Sequence, residues 1–502
     1  MRRYLQYIST LIFFCATFIG CTTQKEDNSI YHFGLSSPNL SIPYTEGSTT
    51  VKYDIMYSNI YIDYSAIPIG ITTDAEWIKN IDTTTLGTIV IDVEENNTDK
   101  ERTAYITFTA QDTKPAELRL TQLGTPNDMS EHTVIHYFFG TSLNYHFKNN
   151  VRDAAIAIGE GALGNNGRYI YFRQQGQYEG YIAELHYSET DRCAVERLIT
   201  YVTIEIDKPL EETIAQTLRQ MATLAPANRY GLILGGHGTG WITREMLSSN
   251  ATEFSAMPGS SQWTPAIGAE QTRTFGENNV KADIIELTNS IESSGVELDY
   301  ILFDACLMSN IETLYDMRTT ANYIISSPCE IVGKGFPYDH ILKHLYANDG
   351  KQSDLVAAAE AYYLYYRDEY NDRNRSGSIT VVDCSELEAL ADATRKIAKS
   401  ATSDYDKNSL QSYEGQNPHT FYDIGGWATA VATDSAALQD FEAQLDRTTV
   451  ARYTLSTFYS ALGTYGNYPI DVDAYTGITT SAPCDQYFNE WRKTSWYKRV
   501  ME

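Results

Sequence analysis

A chain of 502 residues is long enough for two or three domains, and 42% hydrophobic with 21% charged residues marks it as globular rather than disordered. Its 38 Lys and Arg stand against 65 Asp and Glu, a formal charge of −27 that repels nucleic acid and anionic membrane surfaces. The 7 cysteines, at positions 15, 21, 193, 306, 329, 384 and 484, include no CxxC pair, so spacing supports neither a disulfide framework nor a zinc site, and no cofactor is expected.

Residues 1–20 read as a lipoprotein signal peptide. Arg2 and Arg3 form a positive start, and Leu11 to Ile19 supply an apolar core too short for an ordinary membrane span. Phe18-Ile19-Gly20-Cys21 resembles a bacterial lipobox, which implies that Cys21 is diacylated and becomes the mature N-terminus. A short uncleaved anchor is the alternative. Residues 21–30 then form a lipidated tether, and Lys25-Glu26-Asp27 resembles the acidic surface-export signals of Bacteroidetes lipoproteins. The expected location is the outer membrane or cell surface, with the lipid as the link to the membrane.

Residues 31–125 have a β texture. TTVKYDI, NIYIDYS, GTIVIDVEE, RTAYITFTA and AELRLTQLG are β-branched, alternating runs separated by turn residues, which predicts a small all-β sandwich. No His, Cys or carboxylate cluster there has site-like spacing, and His32 reads as structural or exposed. Three features resemble the BACON domain, an immunoglobulin-like module of Bacteroidetes surface proteins. They are Trp77, Glu95-Asn96-Asn97-Thr98 ahead of Arg102-Thr103-Ala104, and Leu120-Thr121-Gln122-Leu123-Gly124. The resemblance implies carbohydrate as a ligand; a spacer role stays open beside it. Residues 125–131 read as a linker.

From His132 strands and helices alternate. Strands are expected at 133–140, 168–175, 180–188, 230–235, 298–303, 321–327 and 376–383. Helices are expected at 151–163, 210–225, 280–294, 309–318, 355–365 and 385–400, with Ser309 and Glu312 spaced as a capping box. A polar stretch occupies 248–278. This order predicts an α/β layered fold with a largely parallel sheet.

Two of the strands stop abruptly. The run Tyr300–Phe303 ends at Asp304-Ala305-Cys306, and the run 230–234 ends at Gly235-Gly236-His237-Gly238. The carboxyl ends of strands are where chemistry sits in open α/β sheets. A thiol, with an ordinary pKa near ~8.5, is mostly protonated at neutral pH, and an adjacent imidazole shifts that balance. The pattern nominates a Cys–His dyad of Cys306 and His237. The plain alternatives are an inert buried Cys and a turn His. Glycine beside the imidazole lets backbone N–H groups approach a substrate carbonyl, which nominates the N–H groups of Gly238 and Cys306 as an oxyanion hole.

These residues resemble the clostripain family of cysteine peptidases, of the caspase-like clan. The matching pieces are the GGHGTGW segment around His237, the FDACLMSNIE segment around Cys306, and Gly333-Lys334-Gly335-Phe336-Pro337-Tyr338. GITTSAP (477–483) and the stretch Tyr487 to Tyr497 match near the C-terminus. The likeness spans residues 132–502 and implies a caspase-like α/β/α sandwich. It implies Cys306 as nucleophile, His237 as general acid/base, and Asp304 as the carboxylate that selects Arg or Lys in a polypeptide substrate. Phe139-Gly140-Thr141-Ser142 departs from the family's Asp/Asn-rich turn, which puts substrate contact from that loop in doubt.

Cys329 is the best decoy, since it also follows a strand, and Glu330 and Tyr338 are candidates to line the groove. His132, His136, His146, His186, His340, His344 and His419 lack ligand-like spacing, so no metal is expected. Internal cleavage in the clan makes Arg244, Arg273 and Lys281 candidate processing sites. The expected activity is a lipid-anchored endopeptidase cleaving after Arg or Lys through a thioester. The alternatives are an inactive glycan- or protein-binding lipoprotein, and a Cys-dependent hydrolase or transpeptidase of other specificity.

Overall fold

Alternating side chains build the amino-terminal unit. Its strands are β1 (Tyr31–Leu35), β2 (Asn39–Ile42), β3 (Gly47–Met56), β4 (Gly70–Thr72), β5 (Ile78–Asp82), β6 (Thr88–Val93), β7 (Arg102–Thr109), β8 (Thr113–Lys114) and β9 (Ala116–Gln122). In β6 every second residue, Ile89, Ile91 and Val93, is buried, and in β7 Ala104, Ile106 and Phe108 are buried. Each large apolar side chain buried this way contributes about 1.5–3 kcal/mol. The strands form sheets in the orders β5-β6-β3-β1-β8 and β2-β9-β7-β4, facing each other as a sandwich across one apolar core.

The residues that carried the BACON likeness hold this sandwich together. Arg102 Nε donates to Gln122 Oε1 at 2.8 Å, and Gln122 Nε2 donates to the Glu94 carbonyl at 2.8 Å. Asn96 Nδ2 donates to the carbonyls of Lys100 and Leu123 at 2.8 and 2.9 Å. The Arg102 guanidinium lies 4.7 Å from the centre of the Trp77 ring.

The computed structural model describes residues 31–36, 38–56, 68–98, 100–111, 113–125, 129–204, 209–247, 282–347, 352–370, 374–462 and 469–502. The signal peptide, Cys21, the tether, the strand expected at NIYIDYS and the whole polar stretch 248–278 lie outside the described residues. Among the described residues no helix is long and apolar enough to cross a membrane.

The larger unit is a nine-stranded sheet. Its strands are β10 (His132–Phe138), β11 (Gly167–Gln174), β12 (Glu179–Ser188), β13 (Cys193–Thr203), β14 (Tyr230–Gly235), β15 (Leu298–Asp304), β16 (Ala321–Ser326) and β17 (Ile379–Asp383). After a short β18 (Tyr422–Asp423), which pairs elsewhere, β19 (Thr449–Tyr453) completes it. The order is β13-β12-β11-β10-β14-β15-β16-β17-β19. The central run β11-β10-β14-β15-β16 is parallel, and β12, β13, β17 and β19 run antiparallel at the two edges. The expected parallel character holds at the centre, where both faces are covered and β10 is buried along its whole length.

Helices α1 (Asn144–Gly159) and α2 (Leu210–Leu224) cover opposite faces of the sheet. Beside α2 lie α3 (Ile284–Ser294) and α4 (Ile311–Asp316); beside α1 lie α5 (Tyr338–Leu345) and α6 (Gln352–Leu364). The α2 pattern is legible: Ile214, Leu218, Met221 and Leu224 are buried on one stripe, and Glu211 and Glu212 favour its N-terminal dipole.

Two local expectations give way, and one strand was not foreseen. Helix α1 begins at Asn144, not Val151, because Phe147 and Asn150 turn inward from a polar-looking run. Strand β13 is an edge strand that the alternation did not reveal. The Ser309/Glu312 capping box is not formed: Asn310 caps α4 by accepting from Thr313 N at 2.9 Å, while Ser309 Oγ donates to the Gly477 carbonyl at 2.7 Å.

Candidate active site

The register of three adjacent strands sets the site. Phe138 of β10 lies opposite Gly235 of β14, and Gly235 lies opposite Asp304 of β15. The three strand tips are therefore level, and the loops carrying Ser142, His237 and Cys306 leave the sheet side by side. Gly236 N–H donates to the Asp304 carbonyl at 3.3 Å, and Phe139 N–H to the Gly235 carbonyl at 2.7 Å.

Glycine makes these loops touch. A Cβ on Gly238 would stand 2.3 Å from the Cys306 carbonyl oxygen and 2.9 Å from Met308 Sδ. A Cβ on Gly236 would stand 3.0 Å from Phe139 Cβ. Only a residue without a side chain allows the first approach.

Cys306 is fully buried. The Ile331 N–H donates to its Sγ at 3.0 Å, and its thiol lies 3.4 Å from the Ile331 carbonyl. The next residue, Leu307, has φ +60°, a left-handed conformation that costs a non-glycine residue about 1–3 kcal/mol. The turn is held by Leu307 N–H donating to the Cys329 carbonyl at 3.1 Å and by Asn310 Nδ2 donating to the Leu307 carbonyl at 2.7 Å.

His237 is partly exposed, and its Nε2 lies 2.9 Å from Ser142 Oγ. Side chains alternate along β15, so Asp304 and its neighbour Phe303 point to opposite faces. Asp304 faces α5, fully buried, and its Oδ2 accepts from the Tyr338 hydroxyl at 2.8 Å. The same hydroxyl is 3.4 Å from His136 Nε2, and His136 Nδ1 is 2.6 Å from the Tyr169 hydroxyl. Burial and then the Asp304 charge push the Tyr169 hydroxyl well above its ordinary range. On the other face, a cavity of about 60 Å³ adjoins His237 and is lined by Leu234, Leu287, Phe303 and Met308.

The remaining nominees separate. Cys329 is buried beside Ser327, and burial pushes its thiol up to about 11, which favours the protonated form. Glu330 is buried and accepts from Ser460 Oγ and from Ala461 N–H at 3.2 Å, tying down that segment. His340 is engaged by Asp339 and Glu369. Arg244 is bound by Glu286 at 2.6 Å, whereas Arg273 and Lys281 lie outside the described residues. Among the described residues no group of three or more His, Cys, Asp or Glu is arranged to hold a metal ion.

Two groups lie in segments the sequence marked, but their contacts with the site were not expected. Ser142 is one. The other is the clamp beneath the Cys306 turn. There Glu312 Oε1 accepts from Trp491 Nε1 at 2.7 Å, Ser481 N–H at 2.9 Å and Thr480 Oγ1 at 3.1 Å, and Trp241 Nε1 donates to Ser481 Oγ at 2.8 Å.

Known families and solved structures resemble this chain. The profile of the clostripain family of C11 peptidases matches residues 184–461, and that of BACON, a putative N-terminal binding domain, matches residues 68–123. No curated protein matches. A secreted C11 cysteine protease of Bacteroides thetaiotaomicron, iotapain, is 26% identical with a TM-score of 0.64, covering 74% of this chain and 100% of its own. An inactive zymogen C11 protease of Parabacteroides distasonis is 25% identical with a TM-score of 0.61, covering 75% and 99%. With the family profile covering more than half of its length, the chain belongs to the clostripain family and is a cysteine peptidase, of caspase-like fold, that carries a BACON domain.

Proposed function

We propose that the chain is an endopeptidase that cleaves after Arg or Lys through a Cys306–His237 dyad. The observation that carries this reading is the level register of β14 and β15, with Gly238 packed on the Cys306 carbonyl. In the first half-reaction the Cys306 thiolate attacks the scissile carbonyl carbon. The oxyanion takes hydrogen bonds from the N–H groups of Gly238 and Cys306. The C–N bond then breaks, the amine leaves with a proton from the His237 imidazolium, and a thioester remains. In the second half-reaction water attacks the thioester, His237 takes one of its protons, and the thiolate departs from the new carboxylic acid, which loses its proton to solvent. Substrate entry requires the Ile331 segment to yield, because its backbone now covers the sulfur.

Asp304 selects the cation. A carboxylate in a dry pocket favours a guanidinium or ammonium, and Arg can bind it bidentately. Its place two positions ahead of Cys306 supports this role, and a substrate side chain reaches it when the packing around Tyr338 opens. The domain reading is 31–125 for the β-sandwich and 132–502 for the peptidase. Export with lipidation at Cys21 sets the enzyme on the outer membrane or cell surface, and the secreted relative iotapain supports export. Carbohydrate is the proposed ligand of the sandwich.

The test is a panel of fluorogenic Arg, Lys, Asp and Asn peptides with the wild type, Cys306→Ala and Asp304→Asn. We expect Arg and Lys peptides to be cut, Cys306→Ala to be silent, and Asp304→Asn to lose roughly a hundredfold in kcat/KM on them. Cleavage surviving Cys306→Ala sinks the mechanism, and a wild-type preference for acidic residues sinks the Asp304 role.

A further inference from the structure

We propose that Ser142 is the positioning residue of the dyad, its hydroxyl accepting the His237 Nε2–H so that proton exchange with Cys306 and substrate runs through Nδ1. The proposal rests on the reading of His237 as general acid/base.

An imidazole has two distinct nitrogens, and the group bound to one decides the state of the other. Ser142 Oγ stands 2.9 Å from Nε2. When Nε2–H donates to the hydroxyl, the ring is in the tautomer whose Nδ1 takes a proton, and the bond strengthens when the ring becomes imidazolium.

The serine is held by more than its own contact. Gly140, with φ +78°, donates its N–H to Gln174 Oε1 at 3.0 Å, and buried Gln174 in turn donates Nε2 to the Gly176 carbonyl at 2.9 Å. Asn144 N–H closes the turn on the Thr141 carbonyl at 3.0 Å. Phe139 is bonded to Gly235 and packed against Gly236, so the turn is fastened to the loop that carries His237. A hydroxyl supported on both sides orients a partner at little entropic cost.

The experiment compares the wild type, Ser142→Ala, Ser142→Thr and His237→Ala on the Arg peptide across pH, with thermal melting as a folding control. Ser142→Ala is expected to lower kcat roughly three- to tenfold with KM unchanged, the worth of one hydrogen bond. Its kcat/KM profile should lose the alkaline limb at lower pH, since the imidazolium has lost an acceptor. Ser142→Thr, which keeps the hydroxyl, should restore both. A Ser142→Ala enzyme with unchanged kcat and profile overturns the proposal, as does a Ser142→Thr enzyme as impaired as the alanine variant. Activity that survives His237→Ala defeats the dyad reading itself. A dead His237→Ala beside a normal Ser142→Ala defeats only the serine's role.

Discussion

Cys306 and Cys329 follow neighbouring parallel strands, β15 and β16, and both are fully buried. Cys306 sits where the next strand over, β14, ends level with its own and delivers an imidazole loop against its carbonyl. Cys329 sits among serines, its thiol pushed up to about 11, and lends only its carbonyl to the Leu307 turn. Burial and a strand end are thus common to both. What sets the proposed nucleophile apart from its neighbour is the register of the adjacent strand, which brings the His237 loop to Cys306 and not to Cys329.

The largest effect should come from exchanging the roles of these two residues. Cys306→Ala is expected to lower kcat by about four orders of magnitude or more, whereas Cys329→Ala should leave it within about threefold and cost roughly 1–2 kcal/mol of stability. Peptide kinetics and urea denaturation read the two outcomes. Equal losses of activity would erase the distinction.

Next comes the contact between the loops. In Gly238→Ala the new methyl would meet the Cys306 carbonyl at 2.3 Å, so the two tips must move apart. A shift of that kind is expected to cost roughly a hundredfold in kcat and about 1–3 kcal/mol in stability. The same assays check both numbers.

The smallest effect concerns pH. Burial raises the Glu312 carboxyl from its ordinary 4.5 to about 7, against the bonds from Ser481, Trp491 and Thr480, which lower it. A carboxyl that binds its proton more tightly when folded contributes fully below its unfolded value, and that contribution is lost as pH rises through about 7. Stability measured by urea melts should therefore fall between about pH 5 and 7 by roughly 1–3 kcal/mol. Glu312→Gln should flatten that fall. An unchanged slope in the variant would remove the Cys306 side's distinctive support from the comparison.

Most of the frame was legible because apolar runs are local. The tips at His237 and Cys306, helix α2 and the central strands follow from residues that each element carries within itself. What stayed hidden depends on distant partners. The Ser309/Glu312 spacing looked like a cap, but Glu312 is bound by donors 168 to 179 residues away, which outcompete the local backbone. Ser142 meets His237 across 95 residues, and no pattern around either predicts the pairing. Strand β13 hides for another reason: as an edge strand it is half exposed, and its ladder to β12 comes from backbone rather than from a buried face. In the sandwich, the motif residues Asn96 and Arg102 were legible as a family mark, yet their work is to fasten chain to chain.

The clamp on Glu312 also has a meaning in time. Chains are made from the amino end, and the helix after Cys306 is translated long before Trp491, which lies 179 residues downstream of Glu312. Until that tryptophan and Ser481 emerge, the carboxylate beneath the Cys306 turn lacks two of its donors, and Trp241, near the histidine loop, lacks its Ser481 partner. The Cys306 turn is followed by a helix braced by residues made well after it, so a fragment that ends before Ser481 would carry Cys306 and His237 without that bracing.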